Sequence, residues 1–237
     1  MPLPEPTSPT VTGTSDLRKL RPQQFGRRGV RQVHDPLIEP LWRGTRVLVS
    51  VSDPGPVEFV DDGGEPLEGE DIDAIAGQVL GAVRAESLVL DGYLTYQATA
   101  DVSIDANLGI EMPSAQQMVG QLIFGRRGAG VAAKAVSDPK REPEPTSPLA
   151  FVAVDIVALD GEPLLDVPLL ERKRLLESAI DESPLVRRGA YVRPPVDSWL
   201  VAWRAIGFRE LAYKGANSRY VPGARNDDWA TIAIPRD

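Results

Sequence analysis

Cysteine is absent from this chain of 237 residues, which excludes disulfides and thiolate metal sites. Histidine occurs once, at His34, so neither a histidine-based triad nor a multi-histidine metal cluster can be assembled. No run of 18 apolar residues exists, and the N-terminus lacks the hydrophobic stretch of a signal peptide. These absences predict a cytoplasmic chain without a membrane partner. A surplus of positive charge is missing too. The net charge of −8 argues against a broad nucleic-acid-binding surface, because phosphate contacts need clustered Lys and Arg.

What is present is the composition of an ordinary globular protein, 42% hydrophobic and 25% charged, with a length that can bury a sizeable core. The 21 Gly and 22 Pro residues call for many turns. Residues 1–30 are rich in Pro, Ser, Thr and Arg and read as a flexible leader, with the folded domain over 31–237. Basic residues concentrate at its end: Arg18, Lys19, Arg21, Arg27, Arg28 and Arg31 stand against Asp16 alone. They form either a solvated tail or a weak contact with DNA or an acidic partner.

From Arg46 the pattern becomes regular. Residues 46–51 and 57–60 read as two strands joined by a Pro/Gly turn. Ile72, Ile75, Ala76, Val79, Leu80 and Val83 recur at helical spacing. Residues 87–96 read as a buried strand kinked at Gly92, 114–124 as a helix, and 138–148 as a Pro-rich loop inside one domain. Phe151 to Ala158 is a strongly apolar strand. Asp166 is the expected cap of a helix over 167–181, with the stem of Arg172 snorkelling past its apolar side. A helix near 196–206, carrying Trp199 and Trp203 on its core face, and a last strand over 229–234 complete a mixed α and β chain.

Four segments, in order, resemble the adenylation domain of ATP-dependent DNA ligases of the bacterial repair type. Glu39-Pro40-Leu41-Trp42-Arg43-Gly44-Thr45-Arg46 is similar to the family's E-P-K-x-D-G-x-R, and Leu90 to Leu94 to its L-D-G-E-L. Phe151 to Asp155, Leu159 to Gly161 and Leu169 to Lys173 match F-V-A-F-D, L-D-G and L-L-E-R-K. Lys214, Ser218 to Gly223 and Asp228 to Ala233 echo A-K-R-x-x-S-x-Y-x-P-G and D-W-L-K-x-K. The resemblance implies an α+β, ATP-grasp-like fold of mostly antiparallel sheets flanked by helices. It also implies that the family's OB-fold domain is lacking, since the chain stops where that domain would begin.

The same resemblance marks a site whose reactive residues have been replaced. Leu41 stands where the family keeps the lysine that becomes adenylylated, and a hydrocarbon offers no electron pair. Arg43 replaces an acid and can neither accept a proton nor bind a cation. Val154 replaces the aromatic on which adenine stacks, an interaction of about 1–3 kcal/mol per base. Tyr93 replaces one glutamate and Arg209 a second; Glu210 would recover that carboxylate by a one-residue slip, which reverses side-chain direction in a strand. Thr231 and Ala233 replace two lysines that would neutralise phosphate charge. Glu39, Gly44, Arg46 and Lys214 survive.

The expectation is a catalytically silent pseudo-ligase with a vestigial ATP pocket, no metal and no required cofactor, serving as a scaffold for an unidentified protein partner. In this pocket, Tyr93 and the two arginines, Arg43 and Arg209, are expected to fill the space of the nucleotide. Two alternatives stand beside it: an ATP- and magnesium-dependent ligase in DNA repair completed by relocated or partner-supplied residues, and a DNA-binding module using the N-terminal arginines.

Overall fold

The computed structural model describes residues 17–52, 54–97 and 148–235. The predicted helix over 114–124 and the 138–148 loop, save Pro148, lie outside the described residues.

Alternating β-branched residues form β3 (Thr45–Ser52) and β4 (Val57–Asp61), as predicted. They join β5 (Ser87–Thr95) and β6 (Ala150–Leu159) in a sheet of order β4–β3–β5–β6–β7, where β7 is Glu162–Pro163 and β8 (Val186–Arg188) runs parallel to β6. All other pairings in this sheet are antiparallel. The kink predicted at Gly92 is real. The β5–β6 register shifts between Asp91 and Gly92, and a Cβ there would stand 2.4 Å from the Val152 carbonyl oxygen.

One face of the sheet packs on two helices, α1 (Glu70–Ala82) and α2 (Leu169–Ala179). Helix α1 buries Ile75, Val79 and Ala82, and its first turn carries Glu70, Asp71 and Asp73, which suit the positive end of the helix dipole. Helix α2 departs from expectation at both predicted points. Asp166 does not cap it. The helix starts after Pro168, and its first free N–H groups, on Leu169 and Leu170, donate to the carbonyls of Ser218 (3.0 Å) and Ala216 (2.9 Å). Arg172 does not snorkel; it is fully buried.

A second sheet, order β11–β9–β2, joins β2 (Pro36–Pro40), β9 (Glu210–Gly215) and β11 (Trp229–Ala233), all antiparallel. Helix α3 (Asp197–Ala205) precedes β9 and buries Trp203, while Trp199 is half-buried beside it.

The predicted leader is corrected from Leu17 onward. Leu17 and Leu20 are buried in the core with Leu37, Tyr220 and Trp229, and Phe25 packs on Trp229 at 5.8 Å. Strand β1 (Gln24–Phe25) pairs in parallel with β10 (Arg225–Asn226), and Gly26 N–H donates to the Trp229 carbonyl. Apolar residues spaced irregularly among prolines and arginines carry no periodic signal, yet each finds a core position.

Candidate functional site

The second sheet sets the first layer of the site. Its register places Leu37 opposite Lys214 opposite Trp229, and Glu39 opposite Ala212 opposite Thr231. Directly opposed residues share a face, so Glu39, Lys214 and Thr231 project to the same side. Glu210, paired with Ala233, belongs to that row by the same alternation. Arg209 lies just outside β9 and is exposed. Glu210, rather than Arg209, therefore shares the Lys214 face, contrary to the reading from spacing alone.

Four ion pairs, centred on the three buried carboxylates Glu39, Asp155 and Asp91, occupy this layer and the elements beside it. Glu39 takes Lys173 Nζ on Oε1 at 2.7 Å and Lys214 Nζ on Oε2 at 2.8 Å. Lys173 also donates to the Val154 carbonyl at 2.7 Å, and Lys214 Nζ lies 4.4 Å from the Trp229 ring centroid. Asp155 receives Arg172 in a two-pronged contact at 2.9 and 2.8 Å, and the remaining guanidinium nitrogen donates to the carbonyls of Val167 and Ser218. Asp91 receives Arg46 in the same way at 2.9 and 2.6 Å and accepts Tyr220 O–H at 2.7 Å.

Burial raises the Glu39 carboxyl, but Lys173 and Lys214 together outweigh it and hold the pKa below the ordinary range. Asp155 shows the same balance, with Arg172 prevailing over burial. Burial and the neighbouring Lys173 push Lys214 down against the pull of Glu39. Burial disfavours the Arg46 charge, and Asp91 more than compensates, raising its pKa. Tyr93 is pushed up to about 12, chiefly by burial.

The replaced positions scatter. Leu41 is half-buried, its N–H donating to the Glu210 carbonyl at 3.0 Å. Arg43, Arg209, Thr231 and Ala233 are all exposed. Arg43 and Arg209, expected to fill the site, present themselves to solvent. Tyr93 instead packs against an apolar cluster holding Val154, Trp42 and Phe208, the last two edge to face at 4.8 Å. Gly44 holds φ +141°, and a Cβ would lie 2.0 Å from the Leu94 carbonyl oxygen, so any side chain at this position is sterically excluded.

Of the basic N-terminal residues, Arg21 turns onto the carbonyls of Arg18 and Leu20, and Arg28 pairs with Asp227 at 3.4 Å. Arg18, Lys19, Arg27 and Arg31 are exposed. Among the described residues no three His, Asp or Glu side chains converge to hold a metal ion.

Reasoning from single motifs missed the network itself. Asp91, Asp155, Arg172, Lys173 and Tyr220 all lay in matched segments, but only pairing across sheets reveals their partners.

Solved structures share this fold. The ligase domain of LigD from M. tuberculosis superposes with a TM-score of 0.58 at 20% identity, over 91% of this chain and 60% of that one. A mycobacterial DNA ligase D complexed with ATP and MES gives 0.58 at 21%, over 90% and 59%. In sequence, the chain is 28% identical over 156 residues to a probable DNA ligase of Streptomyces coelicolor, and 32% identical over 156 residues to DNA ligase 2 of Methanosarcina mazei. The chain has the fold of a DNA-ligase adenylation domain and resembles DNA ligases in sequence. No protein-family model matches it. The matched segments are 64% and 62% of the chain, and this adenylation-like domain spans about a quarter of the length of those relatives, 26% and 24%. No described helix is long and apolar enough to cross a membrane.

Proposed function

We propose that this adenylation-like domain does not transfer adenylate and serves as a protein-binding scaffold. The observation that carries this reading is the fate of its amines. The lysines of the chain are Lys19, Lys134, Lys140, Lys173 and Lys214, and the nucleophile position holds Leu41. Lys173 and Lys214, the two placed at the site, both point their ammonium groups at one carboxylate, Glu39, inside the protein. An amine held that way is a charge partner, not a nucleophile.

The rest of the residue set fits a magnesium–nucleotide poorly. Glu39 is occupied by two cations, Val154 offers no ring for adenine, and Thr231 and Ala233 offer no charge to a triphosphate. Retention of Glu39, Arg46 and Lys214 has a structural reason, because each closes a buried ion pair.

The test is incubation of the protein with α-labelled ATP and magnesium. No acid-labile labelled protein is expected, and millimolar ATP should leave the melting temperature unchanged, whereas a ligand at 100 times its Kd would add about 2.7 kcal/mol. A labelled adduct would overturn the proposal.

A further inference from the structure

We propose that the groove between β4 and α1 docks a basic segment of a partner protein, with one aliphatic side chain seated on the groove's apolar floor. This rests on the scaffold reading and names the chemistry of the partner. The groove holds about 160 Å³. An apolar cavity of about 150 Å³ accepts benzene, so this volume suits one leucine-sized group. Phe59 forms the buried floor, its neighbour Val60 pointing to the opposite face of the sheet, and Leu67, Ile72 and Ala76 form half-buried walls. Leu80, one helical turn beyond Ala76, is 45% exposed and prolongs the same apolar stripe across the surface of α1.

Charge complementarity selects the occupant. Glu58, Glu68 and Asp73 line the groove against one cation, Arg18. From Val47 to Val83 the sequence contains acids and neither Lys nor Arg, so this stretch of chain repeats that sign, with Arg21 the added cation against Gly64. The mode of entry is also constrained. Leu67 N–H donates to the Phe59 carbonyl and Asp61 N–H to the Glu65 carbonyl, both at 2.9 Å, which closes the outer edge of β4 there. A partner therefore inserts a side chain rather than adding a strand.

A fluorescent dodecapeptide of lysine and serine with a central leucine pair is titrated into the full chain, with anisotropy and amide NMR shifts as readouts. Binding is expected to weaken with salt and to shift amides within residues 57–80. Replacing the leucines by serine should weaken it about tenfold, as should Glu58→Lys, Glu68→Lys and Asp73→Lys together. Equal binding of the serine peptide or of an acidic control, or shifts confined elsewhere, would overturn the proposal. Failure here leaves the absence of adenylate transfer intact, since labelled ATP tests that separately.

Discussion

The ammonium of Lys214 sits 2.8 Å from Glu39 Oε2 and 4.4 Å from the centre of the Trp229 ring, with almost none of the residue open to water. Lys173 completes the arrangement on the other oxygen of the same carboxylate. Two cations on one anion, all buried, make Glu39 the hinge of the site's electrostatics.

Glu39→Gln should therefore destabilise the fold by about 3–5 kcal/mol, because it strands two buried ammonium groups without a counter-charge. Denaturant unfolding of the variant measures this directly. A loss below about 1 kcal/mol would show that water or rearrangement relieves the charges.

Stability should fall on the acid side. The folded pKa values of Glu39 and Asp155 lie below their ordinary values of 4.5 and 3.8. Their contribution is thus complete above those ordinary values and is lost as pH falls through the folded ones. Unfolding free energy measured by denaturant should decline below about pH 5, and more shallowly in Asp155→Asn. A flat profile down to pH 3 would contradict the assignment.

Leu41→Lys alone should not produce labelled protein with ATP and magnesium. Restoring the amine leaves Val154, Thr231 and Ala233 unchanged, so neither base stacking nor phosphate neutralisation returns. Recovery of adenylylation by this single change would mean that the pocket is otherwise intact.

Gly44→Ala should lower stability by about 2 kcal/mol or more, measured by thermal or denaturant unfolding, without any bearing on ligand binding. The glycine adopts φ +141°, and an added Cβ would lie 2.0 Å from the Leu94 carbonyl oxygen, so the penalty is local and steric.

Much of the fold was legible because its strands alternate and its first helix carries a clean apolar face. Strands β3, β4 and β6 and helix α1 fall within two residues of expectation. Strand β2 was hidden by Pro36 and Pro40 at its two ends, which read as breaks. The start of α2 was misread because its end groups are satisfied by the distant carbonyls of Ala216 and Ser218 rather than by a neighbouring side chain. The motif positions of the site were legible too, but not their fates. Arg172 looked like a surface residue because its partner, Asp155, lies on another element, and no local pattern reports that pairing.

The packing of residues 17–33 changes how the role of the N-terminal arginines can be studied. A truncated protein beginning at residue 31 would shed Leu17, Leu20 and Phe25 from the interior and break the tie between Gly26 and Trp229. Loss of DNA binding after such a deletion would report a damaged body rather than a missing contact, so neutralising exposed arginines one at a time is the informative experiment.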